Sequence, residues 1–172
     1  MTWDAALLVD APTAGSVRER HFDAGVPGGS WLWVLFRRDA KPVWAGSFRR
    51  ELARPDSVHF VPEANAALVI AGARSYWVSL EAEAARSLAP LLFLAASIPS
   101  RPLVIGADFT SLFLLSEDGV VWRSRRLALD GISFTDVAAD DVRGVATTPS
   151  GPVPFQVDIV GRQVTGGLQS ER

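Results

Sequence analysis

The sequence predicts an all-β domain of antiparallel hairpins and meanders, and three observations carry that prediction. Short runs of β-branched, aromatic and Leu residues recur along the chain, turn-forming residues separate them, and apolar and polar positions alternate in the last third. The architecture expected is a two-sheet sandwich or an open barrel, with one short helical insert over 80–96. At 172 residues, 48% hydrophobic and 21% charged, the chain reads as a single globular domain, 1–172, with 167–172 a fraying tail.

The first legible elements follow the loop Gly25 to Ser30. Trp31 to Phe36 is an unbroken run of large apolar residues, read as a strand covered on both faces. After a turn through Arg37 to Pro42 the chain returns as Val43 to Phe48, where even spacing puts Trp44 and Phe48 on one face. Val58 to Val61, Ala67 to Ala71 and Tyr76 to Leu80 are three further short strands. From Leu80 to Ala96 the residues are mainly Ala, Leu, Glu and Arg, a helix-favouring composition that Pro90 would kink or divide. Beyond Pro102 the strands are Leu103 to Gly106, Leu112 to Ser116, Val120 to Ser124, Ile132 to Val137, Val142 to Thr147 and Phe155 to Val160. Asp118-Gly119 marks a tight hairpin turn, and Thr148 to Pro154 reads as a loop.

Two internal comparisons stand out. Leu68 to Gly72 with Tyr76 to Glu81 matches Leu103 to Gly106 with Leu112 to Glu117, and the order of strand types from Val58 to Leu80 recurs from Ile132 to Ile159. This strand rhythm resembles the first three strands of a β-propeller blade over about half the chain, and implies blade-like packing as the alternative architecture.

Composition narrows function mainly by exclusion. A net charge of −2 gives no global positive field toward nucleic acid or an anionic membrane. With no Cys there are no disulfides, thiolate metal sites or cysteine nucleophiles. The N-terminus lacks the basic and apolar regions of a secretory signal, and the apolar stretch Leu88 to Ile98 is interrupted by Pro90 and too short to span a bilayer, so a cytoplasmic location is expected. Neither histidine has a second His at a metal-ligand spacing, the Gly-rich loop leads into a strand rather than a helix, and no Gly-x-Ser-x-Gly elbow occurs. No metal and no cofactor are expected.

Three constellations remain. Sixteen of the 17 basic residues are Arg, and Arg37, Arg38, Arg49 and Arg50 surround Trp31, Trp33 and Trp44 of the first hairpin. Arg and Trp together suit a protein-binding patch, and equally a core hairpin whose ends arginine solubilises. His21 is flanked at i±2 by Glu19 and Asp23, which on a strand puts base and carboxylates on one face. Asp136, Asp140, Asp141 and Asp158 cluster late in the chain, as paired acids or as turn formers. The expected function is therefore a non-enzymatic protein-binding domain of immunity, adaptor or accessory type, similar in composition to small bacterial proteins of those kinds. The alternative is a metal-independent enzyme or small-ligand binder using His21, Asp23, His59 and Asp158 in an inter-sheet cleft. The expected partner is another protein, with no nucleic acid and no membrane; the oligomeric state is open.

Overall fold

The computed structural model describes residues 2–23 and 28–168. The chain forms two compact units, Met1–Phe60 with Asn65–Leu91, and Val61–Ala64 with Leu92–Arg172. Sixteen strands among the described residues make four sheets of four. That distribution is the blade-like alternative rather than a single two-sheet sandwich or open barrel.

In the first unit, β1 (Trp3–Leu8), β2 (Arg18–His21), β3 (Trp31–Arg38) and β4 (Lys41–Arg49) form the N-terminal sheet in the order β1-β3-β4-β2. The β3-β4 hairpin is its centre, β1 pairs antiparallel to β3, and β2 runs parallel to β4. The second sheet is a meander of β5 (Ser57–Val61), β6 (Ala66–Ala71), β7 (Arg74–Ser79) and β8 (Ala84–Leu88). Leu32, Val34, Phe36, Trp44 and Phe48 of the first sheet share one core with Ala67, Val69, Tyr76, Val78 and Leu80. Aromatic rings fill it, with Phe36 stacked on Trp44 at 4.3 Å and Phe22 on Phe48 at 5.1 Å between centroids.

The second unit repeats the plan. Its strands are β9 (Leu94–Ser97), β10 (Val104–Ala107), β11 (Leu112–Ser116) and β12 (Gly119–Arg123), then β13 (Ile132–Val137), β14 (Asp141–Thr148), β15 (Gly151–Asp158) and β16 (Gln163–Gly166). Ile105, Leu112 and Leu114 pack with Val142, Ala146, Phe155, Val157 and Ile159. On β14, Gly144 is required by close approach: a Cβ there would meet the Ser133 carbonyl oxygen at 2.2 Å and the Phe155 ring at 2.4 Å. Gly144→Ala is expected to lower stability by about 1–3 kcal/mol through this overpacking, read as a fall in denaturant midpoint at unchanged slope.

Three expectations are corrected. The helix over 80–96 is absent: the segment turns at Leu80 to Glu83, forms β8 against β7, and enters β9 against β10. Helix propensity is worth only fractions of a kcal/mol per residue, less than the ladder bonds and the burial of Leu88, Leu92 and Ala95. Glu83 also adopts φ 51, outside the right-handed helical range, held there by ion pairs from Arg18 at 2.6 Å and Arg20 at 2.8 Å. Among the described residues the one helical turn is the 3-10 segment Pro62–Ala64.

The run Trp31 to Phe36 is not covered on both faces. Leu32, Val34 and Phe36 are fully buried while Trp31, Trp33 and Leu35 are only partly buried. The loop Thr148 to Pro154 is mostly strand, because Pro152 and Pro154 sit where β16 does not reach, so their missing N–H groups break no ladder on that side. Of the fraying tail, Gly167 and Leu168 are tied by backbone bonds to the carbonyls of Pro154 and Leu127; residues 169–172 lie outside the described residues, as do Gly25 to Pro27 of the glycine-rich loop.

Candidate functional site

Strand alternation divides the N-terminal sheet into a core face and an outer face. Register places Trp31, Trp33, Leu35 and Arg37 of β3 on the outer face, beside Asp4, Ala6 and Leu8 of β1 and Ala45, Ser47 and Arg49 of β4. The parallel strand β2 adds Glu19 and His21, opposite Ala45 and Ser47.

A cavity of about 220 Å³ on this face is lined by His21, Trp31, Trp33 and Ser47. His21 Nδ1 is 2.9 Å from Ser47 Oγ, and the imidazole meets the Trp33 ring edge-on at 5.4 Å between centroids. Glu19 lies 3.7 Å from His21 Nε2. Ser, His and Glu thus adjoin, and Ser47, only 2% exposed, meets the imidazole at the floor of the cavity. Arg37 is ion-paired to Asp4, its cross-strand neighbour.

The seven residues expected to form a protein-binding patch therefore separate. Trp31, Trp33, Arg37 and Arg49 share the outer face. Trp44 is corrected to core: it is fully buried and its indole Nε1 donates to the Leu80 carbonyl at 3.2 Å. Arg38 lies on the core-face side of β3, its guanidinium 4.5 Å above the Trp3 ring and 2.5 Å from Glu81. Arg50, just past β4, forks onto Asp56, with Nη2 2.6 Å from the carboxylate, and its Nη1 donates to the Trp31 carbonyl at 2.7 Å.

The four residues of the polar alternative each have a local partner. Asp23 leaves the His21 face and accepts from the Tyr76 hydroxyl at 2.9 Å, with Arg74 3.1 Å away. Burial, with the Asp23 carboxylate behind it, pushes the Tyr76 hydroxyl above its ordinary pKa, so it stays a neutral donor. Asp158 caps its own turn, accepting from the backbone N–H of Val160 and Gly161 at 2.9 Å each. Of the other late carboxylates, Asp140 is paired with Arg101, and Asp141 with Arg143 and Gln156.

His59 on β5 lies with its Nε2 2.9 Å from Ser57 Oγ, and burial holds its pKa below the ordinary 6.5. Folding therefore keeps this imidazole neutral while the unfolded chain protonates near pH 6.5. The stability tied to it is complete above that pH and is lost as pH falls toward the folded pKa. Replacing His59 with Gln is expected to flatten this acid limb, measured by urea unfolding at about pH 7.5 and about pH 5.5; parallel losses in both proteins would sink the assignment.

Sequence reasoning missed a second cluster in the same unit. Arg74 spends Nε on Ser87, Nη1 on Glu51 and Nη2 on Asp23, at 3.2, 3.2 and 3.1 Å. It borders a cavity of about 340 Å³ with Ser87 to Leu91. With every guanidinium nitrogen paired, Arg74 acts as a clasp, and no motif in the sequence marks it. Among the described residues no group of His, Asp and Glu could hold a metal ion, and no helix is long and apolar enough to cross a membrane.

No family model matches the chain, and no curated protein matches it. Among solved structures it is similar to the WD40 domain of Pan2 from Neurospora crassa, with a TM-score of 0.52 at 13% identity. The match covers 81% of this chain and 48% of that one, so the chain spans about half the length of its structural neighbour. At this identity the likeness is one of fold, and it agrees with the four four-stranded, blade-like sheets described above.

Proposed function

We propose that this chain is a non-enzymatic protein-binding module of adaptor or accessory type, and that the outer face of the N-terminal sheet is its contact surface. The observation that carries this reading is the partial exposure of Trp31, Trp33 and Leu35 on a face whose reverse side is fully buried core. Half-open indoles on a rigid sheet supply contact area at low entropic cost, and Trp and Arg are the residues that most often dominate interface energetics. Arg37, Arg49, Glu19 and His21 give that apolar centre a polar rim. The WD40-like fold is compatible with such a role, although fold alone does not determine it.

Affinity capture from the native host tests the reading, comparing wild type with Trp33→Ala and with Arg37→Glu/Arg49→Glu. A specific partner is expected to be retained by wild type and weakened about 30-fold or more by Trp33→Ala, the loss of a hot-spot residue. A partner held equally by all three proteins would dispose of this surface.

A further inference from the structure

We propose that the cavity between Trp31 and Trp33 takes a proline-bearing extended segment of the partner protein. This rests on the protein-binding reading of the same face and names the chemistry that the face selects.

Four features point to such an occupant. The cavity, at about 220 Å³, is smaller than those that enclose small-molecule ligands, roughly 300–1,000 Å³, and suits one or two side chains of a larger partner. Trp31 and Trp33 are two residues apart on β3, about 6.6 Å by the rise of a strand. Both line the cavity, so an apolar side chain that enters it meets two indoles at once.

Charge argues for a neutral occupant. Asp4 and Glu19 balance Arg37 and Arg49 on this face, and Arg37 is already taken by Asp4. Arg49, opposite Trp31 in register, opposes an ammonium cation, while Glu19 beside His21 opposes an acidic peptide.

The last feature is donor supply. Among the described residues neither the Trp31 nor the Trp33 indole N–H is paired with an acceptor; the hydrogen bond at Trp31 uses its backbone carbonyl, and Trp33 meets His21 through its ring. A polyproline II segment makes no internal hydrogen bonds, so its carbonyls are free to accept from those indoles, and its prolines are already ordered. A helix would arrive with its carbonyls occupied.

The test is an indole N–H titration of the ¹⁵N-labelled full chain, whose six Trp residues give separately assignable signals. The probes are decaproline, an Ala/Ser decapeptide of equal length, and a decapeptide carrying one trimethyl-lysine. Decaproline is expected to shift the Trp31 and Trp33 signals and leave that of buried Trp44 in place, with the Ala/Ser peptide silent. Trp31→Ala and Trp33→Ala should each weaken decaproline binding about 10-fold or more. Trp33→Phe keeps a ring but loses the donor, and should cost about 3- to 10-fold; it stands in if an alanine variant fails to fold.

Absence of shifts at the two tryptophans overturns the proposal. So does tighter binding of the trimethyl-lysine peptide at the same signals, or sedimentation showing that the free chain is a dimer closed through this face. A native partner lost with Trp33→Ala, alongside a silent decaproline titration, would overturn the proline assignment and leave the binding face standing. A partner indifferent to Trp33→Ala would remove the face itself.

Discussion

Replacing Trp44 with alanine is expected to lower the unfolding free energy by about 3–5 kcal/mol, the usual cost of emptying a buried large aromatic site. Trp44 is fully buried, stacks on Phe36 at 4.3 Å and meets Phe22 edge-on at 6.4 Å. Its removal would also leave the Leu80 carbonyl without the indole donor at 3.2 Å. Phe36 is fixed in the β3-β4 ladder and Phe22 is stacked on Phe48, so the site closes poorly over the gap. Trp33→Ala, on the same sheet but the opposite face, should cost less, about 1–2 kcal/mol, because part of its side chain is exposed when folded. Chemical denaturation of both variants decides it: near-equal losses would show that the sheet does not divide core from contact face as described.

Asp56→Ala is expected to cost about 2–3 kcal/mol. The Asp56 carboxylate receives Arg50 Nε at 3.0 Å and Nη2 at 2.6 Å, and the Gly72 backbone N–H at 2.9 Å. The fork raises the Arg50 pKa, first through the hydrogen bond to Asp56, so the guanidinium stays charged. Removing the acid strands a partly buried guanidinium and a backbone donor, yet the pair retains some solvent, at 15% and 29% exposure, which keeps the cost below that of a fully buried pair. Asp56→Asn, which can still accept from Gly72, should lose about half as much. A loss under about 0.5 kcal/mol in Asp56→Ala would mean that the fork is merely a surface pair.

The strands that sequence reasoning located are those whose local pattern and tertiary setting agree. Leu112–Ser116 and Ile132–Val137 emerge with the bounds expected, because turn residues flank them and their apolar positions face a core. The misses share a cause. Ala, Leu and Arg dominate β8, so intrinsic preference favoured a helix, and only pairing with β7 overrides it. Nothing in Arg-Glu-Arg-His announces β2, which exists because β4 offers it a parallel ladder.

The same holds for the site. Residue type and nearness along the hairpin put Trp31, Trp33, Arg37 and Arg49 in one patch together with Arg38, Trp44 and Arg50, with the two faces not separated. Trp44 was misplaced because a Trp-rich hairpin alone does not show which face meets another sheet. Asp56, Glu83 and Arg74 left no signal, since no motif marks their pairing with Arg50, with Arg18 and Arg20, or with Asp23, Glu51 and Ser87.

The strand order of the N-terminal sheet also bears on how the chain reaches its native state. Leu8 pairs with Trp33 and Arg18 with Trp44, across long intervening stretches, whereas Ala71 pairs with Arg74 across a single turn. Closing the longer loops is entropically slower and is rewarded only once the β3-β4 hairpin exists to receive the incoming strands. The hairpin and the meanders are thus expected to form early, with β1 and β2 joining its two sides later and bringing Asp4, Glu19 and His21 to the tryptophan face. Separation of β2 would take Glu19 and His21 off this face and draw Phe22 away from Phe48 in the core beneath.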